Sequence, residues 1–292
     1  MKNMQSIDRQ FVVVTDDAAD AAGATTWWSL AGEAERDALL REMKARGIEH
    51  HPRLVEPETA LGRAVGCLRG KRRIVRSIRK GKWAVIEEEL DVSREKLRHW
   101  EGPTVFIDKV GRAVLENSTD EEAHQVREAY AHALDVLDTN DLSHWLLTAV
   151  ERFGGIGLRR TGGIYYVPPQ RMKEWRQFIE VLAIVAPKCT VYTVPTVRLT
   201  ADGARAILDS LTTEVEDAAE KLSQEVIGGD LGIRGLDNRA ESSRQLLSKV
   251  SQYEELLGTR IEKLRTLIEK LDVDVAAARL AAEALADEAA AS

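Results

Sequence analysis

Residues 69–89 read RGKRRIVRSIRKGKWAVIEEE, and this pattern predicts a β-hairpin. Lys80-Gly81 is a two-residue turn signal between two runs that are rich in β-branched and aromatic residues. Opposite charges directly across two strands stabilise their pairing by roughly 0.2–1 kcal/mol each, and the final glutamates provide such partners for the first arginines. The cross-strand pairs that follow from this turn are Arg79–Lys82, Ile78–Trp83, Arg76–Val85, Ile74–Glu87, Arg73–Glu88 and Arg72–Glu89.

The remainder of the first 200 residues is typical of an α+β fold, because strands and helices do not alternate as a doubly wound parallel sheet requires. Further hairpin turns are predicted around Gly111 and at Gly162-Gly163. The candidate strands are 11–15, 72–78, 82–89, 104–108, 113–117, 156–160, 164–168 and 190–194. The candidate helices are 33–46, 58–68, 121–137, 141–153 and 169–185.

Beyond residue 200 the apolar residues recur at alternating steps of four and three, which is the a/d pattern of packed helices. The glycine-rich stretch GGDLGIRGLDN after residue 227 predicts a turn between two such helices. The first seam is Ala204, Leu208, Leu211, Val215, Ala218 and Leu222. The second seam runs from Leu246 to Leu285, and two consecutive steps of four at residues 253, 257 and 261 indicate a stutter within one helix.

We therefore expect an α+β domain over residues 1–200, with antiparallel hairpins and packed helices, followed by an antiparallel coiled-coil hairpin over residues 201–292. A second helix of about 45 residues would be roughly 65 Å long and would outrun the first beyond Leu271. Its unpaired seam predicts self-association or a helical partner, and a solvated tail is the alternative. The predicted interface residues are Leu257, Ile261, Leu264, Ile268, Leu271 and Val275.

The net charge of −7 is unevenly distributed along the chain. Residues 201–292 carry 11 basic and 19 acidic side chains, whereas the first 200 residues carry 30 and 29. The acidity therefore belongs to the helical segment, and the first part of the chain can carry a local basic patch.

The basic patch is the quoted hairpin, which has eight Lys or Arg residues between positions 69 and 82. Such a density can neutralise phosphates and predicts salt-dependent binding of nucleic acid. Because Arg72 and Arg73 face glutamates, the cations that remain near the turn are Arg76, Arg79, Lys80 and Lys82. Trp83 opposite Ile78 is typical of a core residue, and stacking on a base is the alternative.

The predicted hairpin around Gly162-Gly163 repeats the combination of basic and aromatic residues. A two-residue turn places Arg160 opposite Tyr165 and Arg159 opposite Tyr166. Aromatic and basic residues on a hairpin favour single-stranded DNA or RNA over the major groove of a duplex, which is read mainly by helices. The alternative is that the tyrosines lie half in a core and the arginines cover them.

Motifs of catalysis and of cofactor binding are absent from the sequence. It contains no GxxxxGK[ST] loop, no GxGxxG between a strand and a helix, and no GxSxG elbow. His124, Glu128 and His132 lie at steps of four on one helical face, but this is also the pattern of a solvated face with a Glu–His pair. Cys67 and Cys189 lack CxxC spacing and are expected to be reduced thiols. We therefore predict a non-enzymatic protein without a metal or cofactor.

The sequence also bears on the location of the protein in the cell. No apolar run approaches the roughly 18 residues that a bilayer span needs, and the N-terminal MKNMQSIDRQFVVVTDD lacks the apolar stretch of a secretion signal. These features favour a cytoplasmic protein without membrane contact.

Two motifs, WWSL at residues 27–30 and GGIYYVP at residues 162–168, occur together with the helical C-terminal segment. In this combination the chain resembles an uncharacterised family of phage and bacterial proteins. The resemblance covers most of the chain and implies a phage-linked or mobile-element context. It assigns no catalytic residue.

Two functions remain open from the sequence alone. In the first, basic hairpins bind single-stranded or otherwise exposed nucleic acid, and the C-terminal helices assemble copies or recruit a partner. In the second, the protein is an adaptor or assembly subunit without nucleic-acid contact, and its basic hairpin meets an acidic protein surface.

Overall fold

The computed structural model describes residues 22–91, 96–159, 162–196, 198–229 and 231–291. The strand predicted at residues 11–15 lies outside them. Within these ranges the strands are β1 (Ala24–Ser29), β2 (Ala34–Glu35), β3 (Arg73–Arg79), β4 (Lys82–Asp91), β5 (Lys96–Ile107), β6 (Ala113–Glu116), β7 (Val136–Leu137), β8 (Ile156–Gly157), β9 (Tyr165–Val167) and β10 (Thr190–Pro195). The helices are α1 (Arg36–Ala45), α2 (Pro57–Ala64), α3 (Asp120–Asp135), α4 (Thr139–Arg152), α5 (Met172–Val185), α6 (Ala201–Ile227), α7 (Ile233–Leu257) and α8 (Glu262–Ala291).

The α+β class predicted from the sequence is confirmed. Two sheets have four strands each, in the orders β3-β4-β5-β6 and β10-β1-β9-β8, and β2 pairs with β7. The strands of the first sheet follow one another in sequence and are all antiparallel. The hairpin of β3 and β4, which contains the basic stretch, forms the first two strands of this meander.

The chain divides into two compact units, and each is made of separate chain segments. One contains the described parts of residues 1–28, 150–175 and 191–292, and the other contains residues 29–149 and 176–190. This division differs from the predicted boundary at residue 200. The reason is that β1 pairs with β9, and that Ile156 of β8 and Tyr166 of β9 pack in one cluster with the C-terminal helices.

The C-terminal segment contains three helices rather than the predicted two. The steps of four that indicated a stutter mark the end of α7, because Gly258 takes the left-handed conformation (φ 63°) and α8 begins at Glu262. A glycine in this conformation commonly ends a helix. Tyr253 packs near Ile268, whereas residues near the start of α7 pack near Val275, so α7 and α8 run antiparallel.

The residues predicted as an interface lie instead in the core of this three-helix arrangement. Leu264 and Ile268 are fully buried with Leu211 of α6 and Val250 of α7. Leu271 and Val275 are 3% and 2% exposed, and they pack in a second cluster with residues of α6 and α7. Leu257 and Ile261 are half-buried against the first cluster. The seam of α8 is therefore covered by the chain itself as far as Val275, and the expectation that it outruns its partner beyond Leu271 is corrected.

The loop between α7 and α8 is stabilised by Glu254. Its carboxylate accepts a hydrogen bond from the backbone N–H of Ile261 at 2.7 Å and from Nε of Arg265 at 3.0 Å. Hydrogen bonding by Arg265, followed by that of Ile261, holds the pKa of Glu254 below its ordinary value. A carboxylate with a lowered pKa in the folded state stabilises the fold above its unfolded pKa of about 4.3, and this contribution disappears as the pH falls through the folded value.

We expect Glu254→Gln to lower the free energy of unfolding by about 1–2 kcal/mol at pH 7. The amide can still accept hydrogen bonds, but it lacks the charge that attracts Arg265. The difference from the natural protein should begin to shrink as the pH falls below about 4.3, where the glutamate of the unfolded chain takes up a proton, and it should vanish at the lower pH at which the folded carboxylate does so. Urea unfolding at pH 7 and pH 3.5 measures both values. Glu255→Gln, at the exposed neighbouring position, is the control, and an equal loss there or a loss independent of pH would contradict the prediction.

Candidate nucleic-acid interface

The hairpin formed by β3 and β4 is the predicted one, but its register differs beyond the first pair. Arg79 pairs with Lys82 as expected, and an irregularity at Ile78 then places Ser77 rather than Ile78 opposite Trp83. A β-bulge adds one unpaired residue to one strand, so every pair after it shifts by one. Every predicted pair of this hairpin except Arg79–Lys82 was therefore wrong by one residue.

The sequence indicated that Arg72 and Arg73 are both neutralised at the base of the hairpin. Arg73 is neutralised, although by a different glutamate, whereas Arg72 is exposed and has no acidic side chain within ion-pair distance among the described residues. Arg73 pairs with Glu87 rather than Glu88, and its Nη2 lies 2.8 Å from Glu87 Oε1 and 2.5 Å from Glu122 Oε1 of α3. The pKa of Glu122 is held low by the backbone N–H of Thr119 and by Arg73. Arg73 therefore joins the sheet to α3 and is not available to a phosphate.

One face of this sheet is packed against helices. A Cβ atom on Gly62 of α2 would lie 3.0 Å from the ring of Trp83, so the indole contacts the helix backbone closely. Val105, which pairs with Trp83, is fully buried. Trp83 therefore lies on the packed face, as the core interpretation indicated.

The opposite face carries the basic residues near the turn. Successive residues of a strand point to opposite sides of a sheet, so the neighbours of Trp83 in β4 face away from α2. Directly paired residues share a side, and the register therefore assigns two rows to this outward face. The row nearest the turn is Arg79, Lys82, Phe106 and Val114. The next row is Arg76, Ala84, Thr104 and Glu116.

Among the described residues, neither Arg76 nor Arg79 has an acidic side chain within ion-pair distance, and both are exposed. Lys82 extends over Phe106, with its Nζ 5.7 Å from the ring centroid. This is a weak cation–π contact that leaves the positive charge on the outward face.

Lys80, at the turn, is less available than predicted. Its Nζ lies 3.4 Å from Oε2 of Glu56, with side chains that are 74% and 67% exposed. An ion pair between two exposed side chains contributes about 0–1 kcal/mol and exchanges readily with another anion. Of the four cations predicted near the turn, three therefore lack an acidic partner within the described ranges, and the fourth has a weak one.

The second predicted hairpin has a different register. Ile156 pairs with Tyr166, and the backbone N–H of Leu158 donates to the carbonyl of Ile164 at 2.9 Å. This register does not fit a two-residue turn at Gly162-Gly163, which would place Arg159 opposite Tyr166, so that prediction is wrong. Arg159 is exposed, and Arg160 lies outside the described residues.

The two tyrosines of this hairpin are engaged within the protein. Tyr166 is 2% exposed and its hydroxyl donates to the carbonyl of Ala22, and burial raises its pKa. It cannot present its ring to a ligand, which corrects its assignment as a binding residue. Tyr165 stacks on Trp28 of β1, with ring centroids 4.8 Å apart and planes 7° from parallel. In the observed register Tyr165 pairs with Gly157 and Tyr166 pairs with Ile156, which are not the partners that the sequence predicted.

Phe106 is the residue of this surface that sequence reasoning missed. It lies in the predicted strand at residues 104–108 and takes its place beside Lys82 through the pairing of β4 with β5. The alternation of TVFID placed Phe106 and Thr104 on one face. Only the register between β4 and β5 decides which basic residues share that face.

The similarity to a known protein family covers almost the whole chain. Residues 22–290 match DUF6744, a family of unknown function. The chain belongs to this family. The expectation of an uncharacterised family is thereby confirmed, and no curated protein or solved structure matches the chain.

The two histidines of the predicted face in this DUF6744 member, His124 and His132, are paired with carboxylates on the surface. His124 Nε2 lies 3.3 Å from Oε1 of Glu128, and His132 Nε2 lies 2.8 Å from Oε2 of Glu33. Within the part of the chain that the structure describes, no three His, Cys, Asp or Glu side chains are grouped to hold a metal ion. The same described residues include no helix that is long and apolar enough to span a bilayer.

Proposed function

We propose that this chain binds nucleic acid, without catalysing a reaction, through the outward face of the β3–β4 end of its meander sheet. The observation that carries the proposal is the grouping of Arg76, Arg79 and Lys82 on one face, where no described acidic side chain neutralises them. Lys80 at the adjacent turn adds a fourth cation with a weak, exposed partner.

Four such cations can account for measurable but salt-sensitive binding. Each neutralised phosphate releases condensed counterions, and the logarithm of the affinity falls by about 0.7–0.9 per phosphate and decade of salt. Four contacts therefore predict a slope of about −3. The chain's net charge of −7 favours such a local patch over general adhesion to polyanions.

Assembly through the predicted C-terminal seam is not part of this proposal, because those side chains lie in the core. Self-association or a helical partner through another surface stays a prediction, as does the adaptor function. A cytoplasmic location and a phage-linked context also stay predictions, and the phage link rests on the resemblance in WWSL and GGIYYVP alone.

Charge reversal tests the proposal. We expect the fourfold variant R76E, R79E, K80E and K82E to lose gel-shift and anisotropy binding to a labelled oligonucleotide in 50 mM salt, because attraction to phosphates becomes repulsion. The natural protein should show a salt slope of about −3.

A matched control reverses four other exposed cations of the same unit, in the variant R41E, K44E, R53E and R127E. It changes the net charge by the same amount and should retain most of the binding. The absence of binding by the natural protein, or an equal loss in both variants, would overturn the proposed function.

A further inference from the structure

We propose that Phe106 is a stacking platform for an unpaired base, so that the outward face selects single strands over duplexes. This inference rests on the proposed function and identifies the class of nucleic acid. It assigns to Phe106 the stacking contact that the sequence offered, as an alternative, to Trp83.

The position of Phe106 suits such a contact. It lies in β5, an interior strand of the sheet, and is flanked on the outward face by Lys82 and Val114. Phe106 is half-buried, so part of its side chain remains accessible to a ligand. The described helix α2 packs on the other face, where Gly62 meets Trp83.

The cations lie at the distances that a stacked nucleotide needs. Adjacent strands are about 4.8 Å apart, which places Lys82 one strand from Phe106 and Arg79 two strands away, at about 10 Å. A base on the ring would therefore have its phosphates within reach of both side chains. The Lys82 ammonium has, among the described residues, a cation–π contact and no ion pair, so it can exchange the ring for a phosphate.

Acidic residues on the same face restrict the path that a bound strand can take across the sheet. Glu116 lies in the row beside Phe106, on the β6 side, and Glu101 pairs with Ile86 further from the turn. Phosphates are repelled from these positions and attracted toward Arg79 and Arg76. The strand should thus cross the sheet from Phe106 toward β3, with the turn at its side.

A duplex cannot use this platform, because its base faces are stacked inside the helix. Stacking of one base on an aromatic ring raises affinity roughly fivefold to a hundredfold. Cations alone would bind a single strand, a duplex and an abasic backbone according to charge density. Preference for exposed bases therefore separates the platform from simple electrostatic binding.

The experiment compares three labelled probes by fluorescence anisotropy: a twelve-residue oligo-dT, an abasic deoxyribose-phosphate strand of equal length, and a twelve-base-pair duplex. We expect oligo-dT to bind at least fivefold more tightly than the abasic strand and more tightly than the duplex. Phe106→Leu should lower the affinity for oligo-dT to the abasic level without changing the salt slope. Phe106→Trp should retain or raise the affinity for oligo-dT.

Trp100→Leu is the matched control, because it removes another exposed aromatic side chain from β5. It should leave the preference for oligo-dT intact. Equal binding of oligo-dT and the abasic strand, equal losses for both probes in Phe106→Leu, or a duplex bound as tightly as oligo-dT would overturn the platform and leave the proposed function standing. Failure of all three probes to bind would overturn the proposed function itself.

Discussion

Ile268→Ala is expected to lower the free energy of unfolding by about 3–4 kcal/mol. Ile268 is fully buried in α8, where it packs with Leu211 of α6 and Val250 of α7. Truncation removes its buried methyl and methylene groups and leaves a cavity among three helices that can close only in part. Urea unfolding followed by circular dichroism measures the loss.

Leu280→Ala is the control for this effect, because Leu280 lies in the same helix and is 67% exposed. Its truncation should cost less than about 0.5 kcal/mol. The loss in Ile268→Ala should also be independent of protein concentration, whereas a loss through a subunit interface would depend on it. Equal costs for the two variants, or a concentration-dependent loss, would show that Ile268 does not act through the core described here.

Gly155→Ala is expected to lower the free energy of unfolding by at least about 2–3 kcal/mol. A Cβ atom at this position would lie 2.5 Å from Cγ1 of Val150, 2.8 Å from the carbonyl oxygen of Tyr166 and 2.9 Å from that of Val150. Two of these atoms are backbone, so relief requires movement of α4 or β9 rather than a change of rotamer. The carbonyl of Gly155 also accepts a hydrogen bond from Nζ of Lys249 at 2.8 Å, which such movement would weaken.

Gly66→Ala is the matched control for the glycine substitution. Nothing lies within 4 Å of a Cβ atom at Gly66, which is in the 3₁₀ helix Val65–Leu68. Alanine restricts the unfolded chain more than glycine does, so this variant should be unchanged or slightly more stable. Thermal unfolding of both variants tests the pair, and similar melting temperatures would contradict the steric explanation.

The basic hairpin shows which structural features local sequence signals predict and which they do not. The turn at Lys80-Gly81 and its first pair are encoded by adjacent residues, and both were predicted. The irregularity at Ile78 was not, because the turn residues do not mark where a β-bulge occurs in the strand. The neutralising partner of Arg73 was therefore predicted by type but not by number, and its second partner on α3 was not predicted at all.

In the C-terminal helices, too, the local sequence pattern predicted part of the structure, and contacts between distant segments decided the rest. The heptad pattern identified the buried side of α8, since Leu264, Ile268, Leu271 and Val275 are all buried. It could not identify what buries them. A second chain and a second segment of the same chain impose the same periodicity, and the turn at Gly258 decided for the latter.

The sequence by itself determined the α+β class, the hairpin at the basic stretch and the buried side of α8 from Leu264 to Val275. These features depend on turn residues and on periodicity, which act over a few neighbouring residues. The tertiary structure alone decided that Tyr166 is buried, that Phe106 lies beside Lys82, and that α6 and α7 cover the α8 seam. Each of these outcomes depends on contacts between segments far apart in sequence, where one shifted residue or one turn changes which side chains meet.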